Sequence, residues 1–95
     1  MPKQIQGLRK RTGELLFRPE GKIKTIRPIE VNDIVTFFHD NGTSIKVRVD
    51  VIQEEGVIIG TVIEMSSGAP GISINDYIVS HENFVFVVFK NLKTV

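Results

Sequence analysis

Few residues of this chain could do acid–base or nucleophilic chemistry, and their spacing does not favour it. Ser80, His81 and Glu82 carry the three side-chain types of a hydrolase triad, but they are consecutive. Neighbouring side chains of an extended segment point to opposite faces, so His81 would point away from the other two and could not relay a proton between them. A triad completed by distant residues is the alternative that the sequence leaves open. We predict no catalytic residues and a protein that is not an enzyme.

The remaining candidates for acid–base or metal chemistry are two histidines that each precede an acidic residue, in His39-Asp40 and His81-Glu82. A metal site needs three or four converging ligands, and the lack of cysteine removes thiolate ligands. We expect both histidines at the surface near strand ends, and we predict no metal and no other cofactor. The adjacent carboxylates of Glu54-Glu55 are expected to be solvated in a turn, and Tyr77 is expected to pack within a strand.

Neither a membrane span nor an export signal is visible in the sequence. The longest unbroken apolar run, residues 84–89, is far shorter than the roughly 20 residues of a membrane-spanning helix. The first residues also lack the apolar core of a signal peptide. Together with the absence of cysteine, these features predict a cytoplasmic protein without membrane contact.

The elements that must position these side chains are short β-strands, and residues 43–51 give the clearest case. Isoleucine and valine residues there alternate with Lys46, Arg48 and Asp50. This period of two predicts a strand with one apolar face and one face in water. With 95 residues and an ordinary apolar fraction of 41%, the chain is expected to form a single all-β domain.

Glycines mark the connections between the central strands. Asn41-Gly42 predicts a type I′ hairpin, whose two central residues need positive φ, between residues 34–40 and the strand at 43–51. Gly56 predicts the next hairpin, onto residues 57–65. Gly60 predicts a bulge or a sharp bend within that last strand, because glycine has no side chain to pack.

The N-terminal part of the chain is predicted to be peripheral. Residues 1–13 are expected to be a loosely ordered basic segment, and residues 14–95 a single β-barrel domain. Residues 15–19 predict a short strand, with a helical turn over Leu15 to Phe17 as the alternative. A turn at Glu20-Gly21 then leads into a return strand over residues 22–27. We expect this N-terminal hairpin at the edge of the fold, because the proline before the turn cannot donate to a β-ladder.

A short motif occurs twice in the sequence. Residues 29–35 and 72–78 both read apolar, polar, apolar, Asn, Asp, apolar, apolar. Asn tolerates the left-handed region, and Asp can bond backbone N–H groups two residues further on, so we interpret both copies as a turn that opens a strand. The Ser- and Gly-rich residues 66–71 are interpreted as a plain connection, since they lack the lysine and the following helix of a phosphate-binding loop.

The two strand-opening turns carry a resemblance to a known fold family. Val31-Asn32-Asp33-Ile34-Val35 and Ile74-Asn75-Asp76-Tyr77-Ile78 resemble the apolar-Gly-Asp-x-Val step of SH3-like small barrels, including KOW-type domains of ribosomal and transcription proteins. Residues 57–65, with Gly60 before Thr61-Val62, are similar to the Gly-x-Val strand of such barrels. The resemblance covers residues 29–89 and implies a small, SH3-like, partly open barrel of five to six strands, with the N-terminal hairpin beside it.

The chain departs from that family in two respects. Asn replaces Gly at both strand-opening steps, and the basic, glycine-rich loop through which KOW domains meet RNA is missing. The chain is also similar to the small orphan β proteins carried on mobile gene cassettes, a resemblance that implies no activity.

Residues 84–89 are apolar on both faces, and a strand of this kind needs cover on both sides. One face must meet the core, and the other would be an aggregation hazard in an isolated barrel. Burial of a valine or phenylalanine contributes roughly 1.5–3 kcal/mol, so we expect the second face to be covered. The cover is either the N-terminal hairpin, through Leu15, Phe17, Ile23 and Ile26, or a second copy of the chain. The predicted interface residues are Phe84, Val85, Phe86, Val87 and Phe89.

The charge of the chain is unevenly distributed. Residues 1–30 contain eight basic and three acidic residues, whereas residues 31–95 contain four and eight. The basic end would either attract an anionic partner such as nucleic acid or dock on an acidic body, and we favour docking. We therefore predict a non-enzymatic interaction module that self-associates through an apolar strand face, with a homo-oligomer or another protein as its partner. The alternative is a nucleic-acid-binding small barrel that uses Lys22, Lys24, Arg27, Lys46 and Arg48.

Overall fold

The fold was analysed in a computed structural model, which describes residues 2–18 and 29–90. The strands are β1 (Lys3–Gln4), β2 (Leu16–Arg18), β3 (Ile34–Phe38), β4 (Ser44–Ile52), β5 (Val57–Met65), β6 (Tyr77–His81) and β7 (Val87–Phe89). No α-helix occurs in these two ranges, and the predicted all-β class is confirmed. The predicted return strand of the N-terminal hairpin, with Lys22, Lys24 and Arg27, lies outside the described residues.

The strands form one mixed sheet in the order β1-β6-β5-β4-β3-β7-β2. Strands β3 to β6 are an antiparallel meander, and β7 returns to pair antiparallel with β3. The short strands β1 and β2 add in parallel to β6 and β7. The described sheet thus has seven strands, where five to six were predicted, and it does not close into a barrel.

The inner face of the sheet forms the hydrophobic core. In β4, Ile45, Val47 and Val49 are fully buried, whereas Lys46 and Arg48 lie on the opposite face. The two-faced strand predicted from the alternation is therefore confirmed. Residues from every long strand join this core, together with one isoleucine from each strand-opening turn: Ile29, Val35, Phe37, Ile45, Val47, Val49, Ile58, Val62, Ile72, Ile78, Val85 and Val88.

The β3–β4 hairpin is confirmed, but its predicted turn type was wrong. Among the described residues, Gly42 has φ 94° while Asn41 is not at positive φ. The Gly42 N–H donates to the carbonyl of His39 at 2.9 Å, as in a type I turn followed by one left-handed glycine. A type I turn needs positive φ only at the residue after it, which glycine provides without strain.

The paired positive φ values occur instead in the β4–β5 turn. Glu55 has φ 62° and ψ 26°, and Gly56 has φ 79°. The N–H of Val57 donates to the carbonyl of Glu54, which closes a turn with type I′ backbone geometry. A glutamate in this region is unusual, because its Cβ crowds the backbone.

Gly60 was predicted to mark a bulge within its own strand, but the bulge lies opposite it, in β4. The register passes from Val49 opposite Gly60 to Val51 opposite Ile59, which leaves Asp50 as the extra residue of a bulge. A Cβ on Gly60 would lie 2.3 Å from the carbonyl oxygen of Arg48. The strands can therefore approach this closely only because residue 60 has no side chain.

The two Asn-Asp motifs have the same backbone structure. Asn32 and Asn75 both have φ 76°. Each following aspartate accepts a hydrogen bond at 2.8 Å from the backbone N–H three residues before it, Glu30 for Asp33 and Ser73 for Asp76. The predicted direction, towards N–H groups two residues further on, was wrong, because those groups enter the β-ladder of the strand that starts there.

Each turn is also hydrogen-bonded to the neighbouring long strand in the same way. The Asn32 N–H donates to the carbonyl of Val49, whose N–H donates to the carbonyl of Asp33. At the other turn, Asn75 and Asp76 make the same pair of bonds to Val62. The centre of the fold therefore has a pseudo-two-fold relationship, with β3–β4 on one side and β5–β6 on the other.

Residues 84–89 do not form one continuous strand. A single 3₁₀ turn, Glu82–Phe84, precedes β7, because the His81 imidazole accepts a hydrogen bond from the Asn83 N–H and starts the turn. Val85 is fully buried, and the Phe86 ring packs edge-on against Phe38 with 4.9 Å between centroids. Both faces of the segment are thus largely covered by the chain itself.

The N-terminal residues are attached to the sheet at several points. Beyond the β1–β6 pairing, Leu8 bridges to His39, and the Arg9 N–H donates to the carbonyl of Phe38 at 2.8 Å. The Arg11 N–H donates to the carbonyl of Asn83 at 2.8 Å. Residues 2–13, predicted to be loosely ordered, therefore have defined backbone partners on β3, β6 and the 3₁₀ turn.

Candidate functional site

The two histidine side chains singled out in the sequence are hydrogen-bonded to the backbone. Nδ1 of His39 and of His81 each accepts a backbone N–H two residues further on, at 3.1 and 3.0 Å. The His81 Nε2 lies 2.6 Å from the Glu55 carbonyl oxygen, so both ring nitrogens of His81 are engaged by the backbone. Within residues 2–18 and 29–90, no group of three or more histidine or acidic side chains is placed to hold a metal ion.

The predicted basic strand face exists, but its cations are paired. Lys46 and Arg48 both lie on the outer face of β4. Lys46 Nζ is 3.0 Å from Glu64 Oε2 across the sheet, and Arg48 Nε is 3.1 Å from Asp50 Oδ1. The Thr61 hydroxyl donates to the other oxygen of Asp50 at 2.8 Å. This face therefore carries positive and negative side chains in equal number, whereas nucleic-acid-binding surfaces are typically positive throughout.

The apolar residues predicted to form an interface are mostly sheltered. Val85 is fully buried and cannot contact a second copy, and Phe84, Phe86, Val87 and Phe89 are only partly exposed. Lys46 Nζ lies over the Phe89 ring, 4.9 Å from its centroid. On the far side of β7, β2 pairs in parallel, with Leu16 opposite Val87. The cover comes from side chains of β3 and β4 and from the edge strand β2.

The exposed apolar surface lies elsewhere. Six large hydrophobic residues in the described ranges are exposed, and five of them belong to β4, β5, β6 or the two Asn-Asp turns. These five, which we call the outer patch, are Val31 (49% exposed), Val51 (40%), Ile63 (36%), Ile74 (53%) and Tyr77 (43%). Tyr77 was expected to be packed. It lies instead opposite Thr61, which is itself opposite Arg48, so the patch borders the charged network.

The outer patch was missed in the sequence because its members interrupt the alternation. Val51 directly follows the extra residue of the β4 bulge, and Ile63 is the residue left unpaired between Val62 and Glu64 in β5. A bulge shifts the facing of the residues around it, so a strict period of two assigns them to the core. Val31 and Ile74 occupy the same position in the two turns, and that repetition was the one available signal.

The described part of the chain also has two cavities, of about 430 Å³ and about 550 Å³. The smaller lies at the β4–β5 turn and the larger between the N-terminal residues and the loop before β6. No helix within the described ranges has the length and apolar character needed to cross a membrane. In comparisons with known proteins, the chain matches no family profile, no curated protein and no solved structure.

Proposed function

We propose that this protein is a non-enzymatic interaction module that self-associates through the outer patch. The observation that carries the proposal is the location of the exposed apolar side chains. Five of the six in the described ranges belong to β4–β6 and the two turns bonded to β4 and β5, and one belongs to β2. Large apolar side chains left exposed on a small domain are used in protein interfaces when a partner covers them.

The charges beside the patch favour a second copy as the partner. Lys46 is matched by Glu64, and Arg48 by Asp50. A surface with equal numbers of both signs complements itself when it is rotated by a two-fold axis, whereas a one-signed surface would repel its copy. The pseudo-two-fold placement of Val31 and Ile74 further supports an isologous contact.

The solution mass tests this proposal. We expect light scattering to give twice the monomer mass at high concentration, and Tyr77→Asp or Ile63→Asp to give the monomer with an unchanged far-UV circular dichroism spectrum. Leu16→Asp is the matched control, because Leu16 is equally apolar and exposed but lies on the edge strand β2. Tyr77 is the only tyrosine, and the chain has no tryptophan, so tyrosine emission reports directly on this surface.

Two outcomes would rule out the proposal of self-association through the outer patch. One is a wild-type protein that remains monomeric at about millimolar concentration, since an isologous contact weaker than that has no functional weight. The other is a dimer that Leu16→Asp dissociates and Tyr77→Asp leaves intact. That second result would move the interface to the β2–β7 side.

Nucleic-acid binding is the alternative function. It requires a phosphate to displace Glu64 from Lys46 or Asp50 from Arg48, although such exposed pairs are individually weak. The alternative predicts salt-sensitive amide shifts at these two residues on titration with mixed oligonucleotides. Absence of shifts at low salt would eliminate it.

We also infer that the five central strands follow an SH3-like course. Support comes from the antiparallel meander of β3 to β6, the 3₁₀ turn that follows it, and the return of β7 to pair with β3. An experimental structure would test this inference by showing whether a 3₁₀ turn connects β6 to the last strand and whether that strand pairs with β3. We further propose that the protein is cytoplasmic, as expected from the sequence.

A further inference from the structure

The cavity at the β4–β5 turn has apolar walls and a polar rim. Ile29, Ile52 and Ile58 line it, and two of these are almost completely buried, at 5% exposure for Ile29 and 2% for Ile58. Among the described residues, Gln53, Glu54, Gly56 and Glu82 also line it. Its volume of about 430 Å³ falls within the range of small ligand sites in proteins.

Glu82 reaches this cavity because residue 56 is glycine. A Cβ on Gly56 would lie 2.8 Å from Cγ and Cδ of Glu82 and 2.9 Å from its Oε1. The Glu82 side chain therefore lies directly over the turn, against the backbone of Gly56. Glu54 approaches the same cavity from the turn itself. Two acidic residues that are 28 positions apart in the sequence thus line the same cavity as the three isoleucines.

Within residues 2–18 and 29–90 these two carboxylates have no cationic partner, as is also the case for Glu14 and Glu55. Asp33, Asp50, Glu64 and Asp76 each form an ion pair. Across the described ranges, neither Glu54 nor Glu82 forms one. Carboxylates beside a low-dielectric wall attract a cation more strongly than fully solvated ones, because less water screens the interaction.

We propose that this cavity binds an arginine side chain of a partner peptide. The isoleucine walls would contact the methylene stem, and the planar guanidinium would donate to the carboxylates of Glu54 and Glu82 at the rim. Arginine suits such a site because its stem packs on apolar surface while its fork of N–H groups matches carboxylates. The site is separate from the outer patch and does not depend on self-association.

An NMR titration tests the proposal with two probes of nearly the same shape. N-acetyl-arginine amide carries the guanidinium charge, and N-acetyl-citrulline amide replaces it with a neutral urea. We expect the arginine probe to shift the amide signals of Gln53 and Gly56 with a saturable, salt-sensitive curve, and the citrulline probe to leave them in place. Glu82→Gln is expected to weaken binding about three- to tenfold, since one charge-assisted contact of a partly solvated group is lost.

Two variants and one control complete the test. Glu64→Gln removes an exposed carboxylate that belongs to Lys46, and it should leave the affinity unchanged. Glu54 lies in an exposed turn, so Glu54→Gln replaces Glu82→Gln in the test if the Glu82 variant does not fold. Tyr77→Asp should bind the probe as the wild type does. Equal shifts with both probes, wild-type affinity in both Glu82→Gln and Glu54→Gln, or no shifts at about 20 mM arginine probe would each overturn the proposal.

Discussion

Lys90 Nζ lies 2.6 Å from Asp33 Oδ2, and both side chains are almost completely buried, at 4% and 3% exposure. Lys90 also contacts Glu30 at 3.0 Å. The other Asn-Asp turn has the equivalent contact, between Lys3 and Asp76 at 2.8 Å, but there the exposures are 49% and 22%. A lysine therefore forms an ion pair with the aspartate of each strand-opening turn. Lys90, directly after β7, does so in the interior, and Lys3, in β1, does so at the surface.

The buried and exposed pairs should differ in their contribution to stability. Lys90→Met removes the cation that lies 2.6 Å from the buried Asp33 carboxylate, and we expect a loss of about 3 kcal/mol in the free energy of unfolding. Lys3→Met removes the equivalent exposed pair and should lose less than about 1 kcal/mol. Urea denaturation of the two variants measures both quantities. Equal losses would show that burial does not set the strength of these contacts.

The same pair predicts a loss of stability at alkaline pH. Burial by itself lowers the pKa of Lys90, but its hydrogen bonds to Asp33 and Glu30 outweigh that effect and raise the pKa above the usual 10.5. Because the folded state holds the proton more tightly, the stabilisation is complete below pH 10.5 and is lost as the pH rises through the folded-state pKa. The stability difference between wild type and Lys90→Met should therefore be constant below pH 10.5 and narrow as the pH rises above it. A constant difference would contradict the assignment.

Gly60→Ala should be strongly destabilising. The added Cβ would lie 2.3 Å from the Arg48 carbonyl oxygen and 2.6 Å from a Val47 methyl carbon, so the β4–β5 pairing would have to separate. We expect a loss of about 2–3 kcal/mol, as for other overpacked sites. Gly68→Ala is the control, because nothing lies within 4 Å of its added Cβ. Thermal unfolding compares the two, and a similar midpoint for both would refute the close approach.

Glu55→Gly should stabilise the fold slightly. Glycine adopts the left-handed conformation at φ 62° without strain, which adds about 1–2 kcal/mol to the free energy of unfolding. Glycine also makes the unfolded chain more flexible, which lowers the free energy of unfolding by up to about 1 kcal/mol. We expect a net gain of about 0.5 kcal/mol in chemical denaturation. Gln53→Gly, at an ordinary φ of −104°, has only the unfavourable part and should destabilise. A loss of stability in Glu55→Gly would mean that the turn has no strain to release.

Local patterns were sufficient for the central strands β3 to β6 and for several of their connections. The alternation in residues 43–51 predicted the faces of β4, because side-chain direction along a strand depends only on position. The two hairpin glycines located the turns, and Gly60 indicated a bulge but not that it lies in the neighbouring strand. The turn type at Asn41-Gly42 was wrong, because the φ values of a turn also depend on the register of the strands it joins.

The single strand predicted for residues 84–89 was wrong for a similar reason. An unbroken apolar run is compatible with a strand, a 3₁₀ turn or an extended segment, and the hydrogen bond from the Asn83 N–H to the His81 ring selects the turn. The run was correctly identified as needing cover on both faces. The identity of the cover depended on which side chains the folded chain brings beside it, among them Phe38 and Lys46.

The sequence by itself determined an all-β chain, the inner face of its longest strand and the two matching Asn-Asp turns, because each of these follows from side-chain type and spacing within a few residues. Tertiary structure decided which charges are neutralised and which apolar side chains remain exposed. Lys90 reaches Asp33 across 57 positions of the chain, and Lys46 reaches Glu64 across the β4–β5 pairing. Such partners meet only when strand order and register are fixed, so the unpaired carboxylates of the cavity had no signature in the linear pattern, and the outer patch had only the repeated position of Val31 and Ile74.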